Sequence, residues 1–102
     1  MAKQRAYIYQ DHSGFIFVYP GVTVIKPGDD FELINTLPMD AEWSVNAGPF
    51  EGGAVNKEPI KSHKASPAKV AKKAPFLVTQ YEVKVGGFKA IAHSDPVIII
   101  DP

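Results

Sequence analysis

The chain has 102 residues, 45% of them hydrophobic and 22% charged, which is the size of one ordinary domain with enough apolar material to build its own core. That composition excludes full-length disorder, collagen-like repeats and coiled coils, and the absence of cysteine excludes disulfides, thiolate metal sites, iron–sulfur clusters and a cysteine nucleophile. Eleven basic and eleven acidic residues cancel, yet between positions 57 and 73 six lysines face a single glutamate, so a local +5 sits on a remainder of −5.

Met1-Ala-Lys-Gln-Arg leads into no apolar signal core, and no apolar run approaches the ~20 residues that span a bilayer. The chain falls into a β-rich stretch over residues 6–46, an irregular connection over 47–75 and a second β-rich stretch over 76–101. Phe15-Ile-Phe-Val-Tyr and Val22-Thr-Val-Ile are short runs of β-branched and aromatic residues separated by Pro20-Gly21, a turn dipeptide. Lys26-Pro27-Gly28-Asp29 is a second turn, with proline presetting φ and glycine accepting a positive one. It delivers the chain into Asp30-Phe-Glu-Leu-Ile-Asn35, where Phe31 and Leu33 alternate with Glu32 as in a half-buried strand. Glu42-Trp-Ser-Val-Asn46 alternates in the same way.

In the connection over 47–75, seven glycines and prolines forbid a long regular element. One short helix is expected at residues 66–73, with Ser66 as N-cap and Pro67 in the first turn, provided that Val70 docks on the body of the protein. Further on, Leu77, Thr79, Tyr81, Val83 and Val85 share the inner face of an extended segment, and Gly86-Gly87 forms a tight turn. That turn pairs Val85 with Phe88, Val83 with Ala90 and Tyr81 with Ala92, and it sets Lys84 opposite Lys89, where an acid such as Glu82 is needed nearby. Val97-Ile-Ile-Ile100 is apolar on both faces and must be covered on both. The expected core comprises Phe15, Phe17, Val22, Val24, Phe31, Leu33, Trp43, Val45, Tyr81, Val83, Ile98 and Ile100.

Seven or eight short strands in about 100 residues make a single all-β domain over residues 1–102, an antiparallel Greek-key β-sandwich. Phe15-Ile-Phe-Val-Tyr-Pro, followed by Val22-Thr-Val-Ile-Lys-Pro-Gly-Asp-Asp-Phe-Glu-Leu-Ile-Asn, resembles the cupredoxin pattern of a strand, a turn and a strand ending in Asn. Residues 76–84 resemble that family's penultimate strand, and Ile98-Ile-Ile-Asp resembles a closing strand. The resemblance implies the cupredoxin fold without its chemistry. A type 1 copper site takes two His, a Cys and a weak axial Met, but the strand after Asn35 reads Ala41-Glu-Trp-Ser-Val without histidine, Met39 lies before it, and cysteine is absent. An export setting, periplasmic or extracellular, is what the family implies if a leader has been removed; the sequence as it stands favours the cytoplasm.

His12, His63 and His93 show no ligand spacing, so a metal site would have to be assembled through the fold, from His12, His93 and Asp95. Asp11-His12 and His93-Ser-Asp95 read more simply as turn residues. No nucleophile elbow, phosphate loop or facing carboxylate pair occurs, so no catalysis and no cofactor are expected. Lys61, Lys64, Lys69, Lys72 and Lys73 are the candidate polyanion contacts, three of them on one face of the expected helix. Without interleaved Arg, Asn, Gln or aromatics, nucleic-acid binding through them would be weak and salt-dependent. The reading favoured over it is a non-catalytic binding or assembly module whose partner is a protein or a second copy, with no membrane involved.

Overall fold

The computed structural model describes residues 2–45, 49–86, 88–89 and 96–102. Eleven strands run in the order β1 (Lys3–Gln10), β2 (Ile16–Tyr19), β3 (Val22–Ile25), β4 (Asp30–Asn35), β5 (Ala41–Val45), β6 (Val55–Ile60), β7 (Ala65–Lys69), β8 (Leu77–Gln80), β9 (Glu82–Val85), β10 (Phe88–Lys89) and β11 (Val97–Ile100). No helix occurs among the described residues, so none is long and apolar enough to cross a membrane.

One layer is the sheet β2-β1-β4-β7. The other is made of β3-β11-β8 and β10-β9-β5-β6, joined because β8 runs on through Tyr81 into β9. Most ladders are antiparallel, but β1 runs parallel to β4 and β3 parallel to β11, the mark of strands brought together by long connections rather than by hairpins.

The strands with polar–apolar alternation lie as the sequence predicts. Phe31, Leu33, Trp43, Val45, Tyr81, Val83, Ile98 and Ile100 are all buried. Phe31 reaches across the layers to Trp43 and Tyr81, with ring centroids 5.9 Å apart in both cases and the Tyr81 ring edge-on. The Pro27-Gly28 turn closes with Asp29 N donating to Lys26 O at 3.1 Å, and Gly28 has φ 87°, the left-handed value that the turn requires. Val85 pairs with Phe88 and Lys84 with Lys89, while the Lys84 ammonium lies 3.5 Å from Glu82. The pairings of Val83 with Ala90 and Tyr81 with Ala92 lie outside the described residues.

Two strands present the opposite face from the one expected. Phe15, Val22 and Val24 are each more than half exposed and Phe17 is half-buried, whereas Val18 and Ile25 enter the core. Both runs are apolar on both faces, so period two defines two sets of side chains without saying which is inner. The pairings decide it: Ile8 opposite Val18, and Ile25 beside Ile100. Choosing Ile25 for the core forces Thr23 inward as well, where its hydroxyl has no hydrogen-bond partner among the described residues. Thr23→Val keeps the shape and removes the desolvated hydroxyl, so calorimetry should show an unchanged or higher melting temperature, with a gain of up to about 1 kcal/mol.

The connection over 47–75 is more regular than expected. It contains β6 and β7, and β7 occupies much of the stretch expected to be helical. An isolated helix of about eight residues is marginal in water. As a strand, the same stretch pairs along β4 from Asp30–Lys69 to Ile34–Ala65 and leads directly into buried Val70. Pro59 and Pro67 are tolerated because β6 and β7 are edge strands, and there they also blunt the edges against further strand addition.

Candidate functional site

The lysines do not form a single basic face on a helix. Lys69 lies in β7, 3.8 Å from Asp30, and Lys61 follows β6, 3.4 Å from Asp40. Lys64 is in the β6–β7 turn, where its carbonyl accepts the Asn35 N–H at 2.8 Å; Lys72 and Lys73 are exposed in the connection to β8. The backbone N–H of Ser62 and the ammonium of Lys61 hold the Asp40 carboxyl below the usual carboxylate range. Two of the five lysines therefore have carboxylate neighbours, in exposed pairs of small energetic weight.

His12 is exposed at the tip of the β1–β2 turn. There the Asp11 carboxylate accepts the N–H groups of Ser13 and Phe15 at 2.9 and 3.0 Å, which is the turn role that the sequence suggests. His63 is exposed between β6 and β7. His93 and Asp95 lie outside the described residues, and among the described residues no group of three His, Asp or Glu side chains is placed to hold a metal.

Asn35 is the polar residue whose role sequence reasoning missed. Fully buried at the end of β4, it donates from Nδ2 to Met39 O at 2.8 Å and Ile60 O at 3.1 Å, and its Oδ1 accepts the Leu37 N–H at 3.0 Å. One amide thus shapes the turn into β5 and ties it to β6. The strand it leads into opens with buried Ala41, so no imidazole is offered there. With no cysteine in the chain, the residues present do not fit a type 1 copper centre.

A cavity of about 410 Å³ opens between the edge strands β6 and β7. Trp43 and Phe50 line it with Val55 and Pro67, and Asn56, Glu58 and Lys69 supply polar groups. The Trp43 indole N–H is committed to Ser66 Oγ at 2.9 Å, and the buried Ser66 hydroxyl also lines the cavity.

The outer faces of the two layers carry the stronger signal. On β1 and β2, Tyr7 stands opposite Tyr19 and Tyr9 opposite Phe17, the latter rings stacked at 5.7 Å, with exposed Phe15 just before β2. On the other layer, Val22 and Val24 of β3 and Val78 of β8 are 51%, 52% and 54% exposed, flanking half-buried Val97 and Ile99 of β11. The sequence signal for this second face was the two-sided apolar run over residues 97–100.

No protein-family model matches the chain, and no curated protein matches it. Solved structures do. A reduced Cu(I) form of an amicyanin mutant superposes with a TM-score of 0.67 at 13% identity, covering 99% of this chain and 84% of that one. A pseudoazurin from Sinorhizobium meliloti gives 0.62 at 12% identity, covering 100% and 76%. A multicopper oxidase from Campylobacter jejuni gives 0.55 at 13% identity, covering 97% of this chain and 25% of the oxidase. At such identities the likeness is one of fold.

Proposed function

We propose that this cupredoxin-like sandwich, which lacks the ligands of a type 1 copper site, is a non-catalytic assembly module that associates through the apolar outer faces of its sheets. The observation that carries this reading is that side chains of the class normally spent on a core stand in solvent on both layers. They are Tyr7, Phe15 and Tyr19 on one, and Val22, Val24 and Val78 on the other. Contiguous apolar surface of this kind marks sites of association. Isolated apolar side chains on a surface are ordinary; these are grouped by strand register into patches. The chain has no cysteine, and no group of three metal-binding side chains comes together among the described residues, which supports binding over catalysis.

An apolar interface and a lysine-driven one respond oppositely to salt, since screening weakens charge attraction while salting-out strengthens apolar burial. Sedimentation velocity from about 10 μM to 1 mM protein, at low and at high sodium sulfate, should show a mass that rises with concentration and is maintained or increased by the salt. Association abolished by salt would transfer the role to the lysines, and a monomer under every condition would end the assembly reading.

A further inference from the structure

We infer that the cavity between β6 and β7 binds a small organic cation, an ammonium ion on an apolar body with an oxygen acceptor at its far end. Its volume of about 410 Å³ lies within the ~300–1,000 Å³ of small-molecule sites. The two strands are edges of different sheets, so the cavity opens between the layers. Its walls are largely apolar, with buried Trp43 and Phe50 beside half-buried Val55 and Ala68.

Two polar groups set the ends of the ligand. Glu58 stands opposite Trp43 in the register of β5 and β6, and directly opposed residues share a face, so this carboxylate leaves the edge strand on the inner side and lines the cavity. It is exposed, and no cation or hydrogen-bond donor among the described residues pairs with it. Lys69, the other charged residue on the rim opposite, lies 3.8 Å from Asp30, its register partner on β4. The unpaired charge at the opening is therefore negative and complements a cation. Ser66 is the deeper group: it is 6% exposed and accepts the Trp43 N–H, while its own O–H has no acceptor among the described residues. A hydroxyl donates as well as accepts, and a buried donor left unmade is costly, so an acceptor on the ligand is favoured there. Glu58 lies across from the Trp43 backbone and Ser66 at its indole N–H, which separates the two polar ends by roughly the length of an aromatic side chain.

The edges select a small molecule over an extended peptide. Pro59 in β6 and Pro67 in β7 remove N–H donors that an added strand would need. A charge pointing inward from an edge strand also deters strand addition, but that role requires neither a cavity beside Glu58 nor the unspent O–H of Ser66. Because Glu58 is exposed, its attraction is screened, and the affinity is modest, with a Kd of about 0.1–1 mM that rises with salt.

Tyramine carries both ends on one ring and serves as the probe. Trp43 is the only tryptophan of the chain, so its indole N–H gives a single heteronuclear NMR cross-peak at the cavity. Tyramine titrated to about 10 mM into dilute protein at low salt should move that cross-peak saturably, together with the amide peaks of β6 and β7. Glu58→Gln, nearly isosteric at an exposed position without a partner, should melt as the wild type does and bind tyramine at least fivefold more weakly. Phenethylamine, the same ion without the oxygen, should bind at least threefold more weakly than tyramine, and hydroxyphenylpropionate, the same ring with the charge reversed, should leave the cross-peak in place. A wild-type cross-peak that tyramine does not move overturns the site. Unchanged affinity in Glu58→Gln, or hydroxyphenylpropionate binding as tightly as tyramine, overturns the cation, and equal binding of phenethylamine overturns the acceptor end. None of these results bears on the assembly reading, which sedimentation tests separately.

Discussion

Trp43→Ala is expected to lower the unfolding free energy by about 3–5 kcal/mol, the largest loss for a single truncation in this core. Trp43 is the largest of the fully buried side chains, at 1% exposure, and its ring meets Phe31 at 5.9 Å, Phe50 at 5.9 Å and Tyr81 at 5.8 Å. It spans the layers: the indole sits on β5, while its N–H is donated to Ser66 on β7 in the opposite sheet. Alanine would leave a void among three rings, none of which can collapse into it without losing its own contacts, and would leave the buried Ser66 hydroxyl without its donor. A domain of this size has only about 5–15 kcal/mol of stability in total, so urea titration followed by circular dichroism should show the midpoint falling by more than about 1 M. Trp43→Phe should lose less, because a ring still fills most of the space. A Trp43→Ala midpoint close to that of the wild type would mean that this aromatic cluster does not hold the layers together.

Legibility in the sequence tracks how strictly polar and apolar residues alternate. β4, β5 and β9 interpose Glu32, Glu42, Ser44, Glu82 and Lys84 between core residues, so their inner faces follow from period two alone. β2 and β3 are apolar on both sides, and the choice between Phe17 and Val18, or between Val24 and Ile25, is made by the pairings with β1 and β11, which no local pattern contains. β6 and β7 were hidden for a different reason. They are edge strands with little to bury, so prolines and lysines are permitted in them, and the same residues read locally as a loop and a helix start. The candidate surfaces divide likewise. The run over residues 97–100 announces a need for cover on both faces, and the structure supplies it from within on one face only. The spread of the lysines over β7, its flanking turns and the connection beyond could not be read from their spacing.

Asn35→Asp is the substitution expected to do the most damage for the fewest atoms changed. The two side chains are nearly isosteric, so packing is preserved and the whole effect lies in hydrogen-bond polarity. The Asn35 amide donates to three carbonyls, Met39 O, Ile60 O and, at the longer distance of 3.4 Å, Lys61 O, and accepts from Leu37 N–H. An ionised aspartate would keep the last bond but turn a carboxylate oxygen toward these carbonyl oxygens in a fully buried position, at a cost of at least about 3 kcal/mol at neutral pH. The introduced carboxyl would escape by staying protonated in the native state, so its folded pKa lies above the ordinary value near 3.9. The native state then binds more protons than the unfolded one, and stability relative to wild type falls as the pH rises from about 4 toward the folded pKa. At acid pH the protonated group can donate its O–H to one of these carbonyls and recover part of the amide's work. The melting-temperature gap between Asn35→Asp and wild type should therefore widen from pH 4 to pH 7. Asn35→Ala, which has nothing to titrate, should show a loss at both pH values and no such widening. A gap for Asn35→Asp that is small and independent of pH would show that the turn between β4 and β5 does not depend on this amide.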